Sequence, residues 1–351
     1  PRAAAPSIVA LLVLLVSLAI AEGIVRRREP WATRARLVER VEQHLDRWQR
    51  PHADFHHVGD GKYRLALPDP ADDAAPRLMI VGDSFVMGHG VEPGERFADL
   101  IAAACDDPLD ALGVSSWSPL VYRNVVPAAL ERAPYERLLL HVDQTDPADD
   151  LIYRNDLAAD GRHFDTERMR DRDRELDAAY GAMREALDAL PRRLALYNAL
   201  FPLRVVDLLD EGSPHRRYVE LSLRRGELVD HFVDGPDDEV RRTMEQLTLG
   251  ALDDVVGLCA AAELPLAIAV NPWPRQLSAD VTGNRLHAAI AARYAGRPGV
   301  AVVDLAAAFR DAPDPDSLFL DVPGEFHWSP AGHALVARFW LDFLGPSAPA
   351  P

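Results

Sequence analysis

The sequence predicts an α/β domain in which helices cover both faces of a parallel sheet. Three observations carry this prediction. Short apolar runs recur along the chain from Arg77 onward, they alternate with segments of helical period, and they are apolar on both sides, as strands buried on two faces require. Strands are expected at residues 78–81, 121–126, 137–142, 265–270 and 300–303, and helices at 94–105, 239–262, 286–294 and 330–343.

The chain of 351 residues opens with a different kind of segment. Residues 7–25 are apolar apart from Glu22 near one end. At about 1.5 Å per residue they span roughly 28 Å, close to the thickness of a bilayer core. Residues 1–26 are therefore read as a transmembrane anchor, with a cleaved signal peptide as the alternative, because Ala19-Ile20-Ala21 is a suitable cleavage site. The positive-inside rule applied to Arg26, Arg27 and Arg28 would leave the rest of the chain in the cytoplasm, so orientation stays open.

Residues 27–76 read as a stalk or linker. Leu37, Val41, Leu45 and Trp48 recur at helical spacing among charges, which fits either a stalk helix or a helix packed on the main domain. Pro51, Gly59, Gly61, Pro68, Pro70 and Pro76 then mark a linker. The working domain is expected over residues 77–345.

Within that domain, residues 143–264 form an insertion far longer than an ordinary crossover. Its first part is densely charged, and its later part, with Leu203, Val206, Leu208, Leu209, Tyr218, Leu221 and Leu223, has the apolar content of helices. A lid over the site and a solvated helical elaboration are both compatible with it.

A formal charge of −17 argues against nucleic acid as a partner, since phosphate recognition needs a basic face. Cys105 and Cys259 sit in apolar, helix-like stretches and read as buried free thiols, not as a disulfide framework. No His, Cys or Asp spacing makes a metal site, and the run Asp143, Asp146, Asp149, Asp150 reads as a solvated loop. No cofactor is expected, because no Gly-rich phosphate loop opens a helix after a strand.

Chemistry concentrates in two segments. The apolar run 78–81 stops at Gly82-Asp83-Ser84-Phe85, followed by Gly88, Gly90 and Gly94, which sets a serine hydroxyl on the turn leaving a buried strand. Near the other end, Gly324-Glu325-Phe326-His327-Trp328-Ser329-Pro330-Ala331-Gly332-His333 offers a histidine and an acid. A serine is a poor nucleophile at neutral pH, so an imidazole has to take its proton as it attacks. Ser84 as nucleophile competes with Ser84 as a mere helix cap. His327 as base competes with a structural histidine, and Ser329-Pro330 fixes it just ahead of a helix.

These two segments, in this order, resemble the first and last blocks of the SGNH or GDSL hydrolases, over roughly residues 77–344 with the insertion outside the common core. The resemblance implies a flavodoxin-like three-layer sandwich and serine esterase or acyltransferase chemistry. In the family the acid often lies three residues before the histidine, where this chain has Gly324. Glu325 is the chosen acid and Asp321 its rival. The family also supplies oxyanion donors after its second and third strands. With the strand at 121–126 taken as the second, Val126 falls where the glycine would be, and Thr145-Asp146 replaces the Asn-Asp pair after the third. The donor candidates are thus the main chain of Ser84 and Val126 and the side chain of Thr145 or Gln144.

After the fourth strand, Asn271-Pro272-Trp273-Pro274-Arg275-Gln276 lies at the carboxyl edge of the sheet, where ligands bind in open α/β folds. Trp273 offers a flat face to a sugar ring or acyl group, with Arg275 and Gln276 as polar contacts; a rigid loop packed on the core is the alternative. The expected protein is a membrane-anchored serine hydrolase acting on an acylated small molecule or glycan. The resemblance implies a substrate in the cell envelope and an extracytoplasmic, periplasmic domain. Its rival is a non-catalytic binding or scaffold protein with a degraded oxyanion hole.

Overall fold

The computed structural model describes residues 77–105, 109–165, 216–277, 285–321 and 326–345, with a few positions between 167 and 178. The expected anchor (1–26) and stalk (27–76) lie outside the described residues, as do Leu203, Val206, Leu208 and Leu209 of the insertion. Among the described residues no helix is long and apolar enough to cross a membrane. The chain divides into two units, residues 1–65 with 165–220 and residues 66–164 with 221–351. The second contains every described strand and all the candidate site residues that are described.

Five parallel strands form its sheet: β1 Arg77–Gly82, β2 Leu109–Gly113, β3 Tyr135–Val142, β4 Leu266–Val270 and β5 Val300–Val303. Their order is β2-β1-β3-β4-β5. Every residue of β4 is buried, as are five of the six in β1, which explains why these strands read as unbroken apolar runs. A helix at Arg216–Leu223 straddles the boundary between the units, and those wholly within this one are α1 Ser84–Met87, α2 Phe97–Ala104, α3 Pro119–Leu130, α4 Asp146–Tyr153, α5 Arg225–Asp234, α6 Glu239–Ala261, α7 Arg285–Tyr294, α8 Leu305–Arg310 and α9 Pro330–Leu344. Parallel crossovers are right-handed. The step from β1 back to β2 therefore puts α2 on one face, and the steps toward β5 put α3, α6 and α7 on the other. Helix α9 returns to pack on α2, completing an α/β sandwich.

One expected strand is a helix, and one observed strand has no counterpart in the sequence pattern. Residues 121–126 belong to α3, which begins at Ser118-Pro119 and buries Tyr122, Val125, Val126 and Ala129 at helical spacing. The strand that pairs with β1 on the side away from β3 is Leu109–Gly113. Asp110 interrupts its apolar pattern, yet it is buried because Arg77 binds its carboxylate through two nitrogens (2.8 and 2.7 Å) and Tyr135 donates a third hydrogen bond at 2.8 Å. The acidic run Asp143, Asp146, Asp149, Asp150 is likewise buried, not solvated.

Candidate active site

The order β2-β1-β3 reverses direction at β1, and the crevice beyond the carboxyl ends of β1 and β3 is where open α/β sheets hold ligands. Chain geometry there is tight. A Cβ on Gly82 would stand 2.4 Å from Val86 Cγ2 and 2.9 Å from His141 Cβ, so β1 can turn into α1 at this point only through glycine. Asp83 caps α1, its carboxylate accepting the Phe85 N–H at 3.0 Å. The capping role thus falls to Asp83, and the Ser84 hydroxyl is left for another partner.

That partner is His327: its Nε2 lies 2.7 Å from Ser84 Oγ. A 3.4 Å contact from Ser84 Oγ to Asp83 Oδ2 is also present, but a hydroxyl has one proton and the shorter contact takes it. Two anchors hold the histidine. The Leu320 N–H donates to the His327 carbonyl at 3.0 Å and the Ser329 N–H to the Leu318 carbonyl at 2.9 Å, pinning the segment to residues 318–320. Ser329 caps α9, its hydroxyl accepting the Gly332 N–H at 3.3 Å, and Pro330 starts the helix. Behind them Trp328 is fully buried, with its ring centroid 4.6 Å from Phe85 and 5.6 Å from Phe309.

Aromatic rings surround the imidazole itself. Phe85 lies 4.8 Å away, Phe326 stacks at 4.7 Å, and the exposed His89, whose N–H donates to the Ser84 carbonyl, lies 4.4 Å away. Sequence reasoning missed His89 and Phe326, although both flank the two motif residues. Glu325 lies outside the described residues. Asp321 is exposed and makes no hydrogen bond to His327.

Below the serine is a buried group of carboxylates. Burial, and then the neighbouring Asp143, push the Asp83 carboxyl well above its ordinary range. Burial, and then Asp83 and Asp143, do the same to Asp146. Burial also raises Asp143, opposed by hydrogen bonds from Thr145 and Trp273 and by the nearby His327. Asp150 is pushed up to about 6 by burial, although Ser118, Thr248 and the Leu120 N–H all donate to it. Among the described residues no group of His, Cys, Asp or Glu has the geometry of a metal site.

The donor candidates fare differently. Ser84 is the first residue of α1, so its N–H has no acceptor within the helix. Val126 is the reverse case: buried in the interior of α3, its N–H is committed to the helical ladder, and it does not stand at the end of the second strand. The chain leaves β2 instead through the turn from Gly113 to Trp117. A Cβ on Gly113 would lie 2.7 Å from the Met87 nitrogen, which seats this turn directly against α1. Within it Ser116 has a φ of 65°, a left-handed conformation rare for a residue with a side chain. After β3, the Thr145 hydroxyl is occupied, donating to Asp143 Oδ2 at 2.9 Å. Gln144 is buried and its amide nitrogen has no partner.

The loop after β4 is packed inward. Trp273 donates from Nε1 to Asp143 Oδ1 at 2.9 Å and stacks on Phe326 at 4.1 Å, with the Arg275 guanidinium 5.0 Å from its ring centroid. It is 7% exposed, too little to serve as an open platform. Arg275 bonds to Asp230 and Asp234, and the Gln276 side chain accepts the Trp273 N–H at 3.1 Å. All three proposed substrate contacts are engaged within the protein.

A serine on the turn after β1, hydrogen-bonded to a histidine just ahead of the helix that packs back on α2, joins the two resemblance blocks in space. The fold is an α/β sandwich in which the two segments that resemble SGNH/GDSL hydrolases meet. No protein-family model matches the chain, and no curated protein matches it. Among solved structures, the chain is similar to a member of the lipolytic G-D-S-L family from Veillonella parvula, at 12% identity and a TM-score of 0.37 over 75% of this chain and 95% of that one. It is similar to a G-D-S-L family lipolytic protein from Desulfitobacterium hafniense at 12% identity and a TM-score of 0.38, over 75% and 97% of the two chains. An α/β hydrolase from the metagenome of Lake Arreo, Spain, shares 14% identity with a TM-score of 0.26, over 77% and 94%.

Proposed function

We propose that the protein is a serine hydrolase that cleaves or transfers an ester-linked acyl group. The observation that carries this reading is the 2.7 Å hydrogen bond between Ser84 Oγ and His327 Nε2. It is the arrangement a nucleophile and its base need before reaction.

In this reading His327 Nε2 takes the hydroxyl proton as Ser84 Oγ bonds to the acyl carbon, and the carbonyl oxygen gains the negative charge. The Ser84 N–H, main chain of the turn at Gly113–Trp117 and the Gln144 amide hold that charge. The ester C–O bond then breaks, and the leaving alkoxide receives the proton from His327. Water or an acceptor hydroxyl next gives its proton to His327 as it attacks the acyl carbon; the bond from that carbon to Ser84 Oγ breaks, and His327 returns the proton to Ser84. Glu325 orients the imidazole. The acyl acceptor is a small molecule or an envelope glycan, and residues 7–25 hold the domain at the outer side of a membrane.

The rival reading, a non-catalytic envelope binding or scaffold protein, draws on the substitutions at Val126 and Thr145. Val126 lies within α3, away from the turn after β2, so only Thr145 still speaks for it. Turnover of p-nitrophenyl acetate or butyrate by the wild-type protein, set against Ser84→Ala, decides between them. Equal rates in the two proteins would end the hydrolase reading.

A further inference from the structure

Helix α5 stands where the long insertion rejoins the sheet, and it is tied at both ends to the floor of the site. At its start Arg225 binds both carboxylate oxygens of the buried Asp149 on α4. Toward its end Asp230 and Asp234 accept hydrogen bonds from Arg275 Nη1 at 3.0 and 3.5 Å. Between these ties Leu228, Val229 and Phe232 are buried. The Arg275 guanidinium lies against Trp273, whose indole N–H is bonded to Asp143, three residues before the start of α4. The contacts therefore form a closed ring: α4, Arg225, α5, Arg275, Trp273, Asp143 and back to α4.

One member of that ring also touches the base. Trp273 stacks on Phe326 with ring centroids 4.1 Å apart and planes 21° apart, and Phe326 stacks on His327 at 4.7 Å and 23°. No hydrogen bond is needed along this path; near-parallel rings fix one another's planes through contact area. We infer that Arg275, held by Asp230 and Asp234 of α5, is a positioning residue that sets the plane of the His327 imidazole through Trp273 and Phe326. This rests on the hydrolase reading for its catalytic meaning, while the geometric claim stands on the stack alone.

The strength of the ties shapes the expectation. The side chains of Asp230 and Asp234 are 72% and 67% exposed, and ion pairs so open to water add little to folding stability. A small displacement of a reacting group nonetheless lowers rate steeply. Loss of Arg275 is therefore expected to leave the melting temperature nearly unchanged while it lowers kcat.

The test compares Arg275→Met, Arg275→Lys and the Asp230→Asn/Asp234→Asn pair with wild type in three measurements. These are kcat and KM on p-nitrophenyl butyrate, the melting temperature, and the His327 ring signals in a histidine-labelled NMR spectrum assigned with His327→Gln. Arg275→Met and the double variant are expected to lose about three- to tenfold in kcat with KM within about twofold, and to shift or broaden the His327 signals. Arg275→Lys is expected to recover part of both. Unchanged His327 signals in Arg275→Met would overturn the inference, as would a kcat equal to wild type in an active enzyme. A wild-type protein no faster than Ser84→Ala overturns the hydrolase reading instead, and the NMR comparison still decides the positioning claim.

Discussion

The Tyr153 hydroxyl donates a 2.8 Å hydrogen bond to the main-chain carbonyl of Ser116, the residue held at a φ of 65° in the turn after β2. Tyr122 does the same for the next carbonyl, that of Trp117, at 3.2 Å. A left-handed conformation costs a residue with a side chain about 1–2 kcal/mol. These two tyrosines, from α4 and α3, oppose its relaxation.

If this turn supplies main-chain donors to the oxyanion, Tyr153→Phe loses about two- to tenfold in kcat, the worth of one neutral hydrogen bond. Ser116→Gly removes the strain but adds chain entropy of about 0.4–1 kcal/mol to the unfolded state, so its stability stays near wild type. In the Ser116→Gly background Tyr153→Phe is expected to cost less than in wild type. A double-mutant cycle on kcat measures the difference, and strict additivity would separate Tyr153 from the turn.

Gln144 gives a prediction of opposite signs for stability and activity. Its amide nitrogen is buried without a partner, which costs about 1–3 kcal/mol. Gln144→Leu therefore holds or raises the melting temperature. As a lost oxyanion donor it also lowers kcat by about a hundredfold or more, with KM little changed. A leucine variant with full kcat would remove Gln144 from the reaction.

His333 sets part of the acid stability. Burial, aided by His141 and His327, lowers its imidazole to about 4, and its Nδ1 accepts the Phe97 N–H at 3.2 Å. The folded state keeps this ring neutral where the unfolded chain, with its ordinary value near 6.5, would protonate it. Its contribution is thus complete above pH 6.5 and is lost as pH falls toward 4, by about 3 kcal/mol at most. Asp150, raised to about 6, acts in the other direction over the same range, since its burial costs more once it ionises. Taking the difference between wild type and His333→Asn removes that opposing part. Urea unfolding from pH 7 to pH 4 should show wild type losing stability relative to the variant, and a constant difference would contradict the assignment.

Local pattern made some of the fold legible in the sequence and left the rest hidden. The apolar runs of β1, β4 and most of β3 announce themselves because both faces of these strands are buried, and the half-buried β5 is legible because all four of its residues are apolar. Residues 121–126 read as a strand because Val121, Val125 and Val126 favour one, yet Tyr122, Val125, Val126 and Ala129 also share a helical face, and the Ser118-Pro119 start decides the matter. Strand β2 hides behind Asp110, whose burial depends on Arg77 and Tyr135, both distant in sequence. With β2 misplaced, the pattern points to Val126 for the oxyanion donor. The aspartates after β3 look solvated for the same reason: Arg225, the cation that meets Asp149, enters from the far end of the insertion. Ser84 and His327 are legible because each sits beside its own local signal, a strand end and a helix start. Trp273 and Arg275 are visible as residues, but their partners Phe326, Asp230 and Asp234 belong to other segments.

The Ser84–His327 bond joins residues 243 positions apart. Ribosomal synthesis delivers the nucleophile long before its base, because β2, β3, β4 and β5 all lie between them in the chain. A nascent or clipped chain that ends before His327 therefore carries the serine without its base. On the hydrolase reading, activity would then report completed folding of the domain, and acyl chemistry would be withheld from the chain while it is being made.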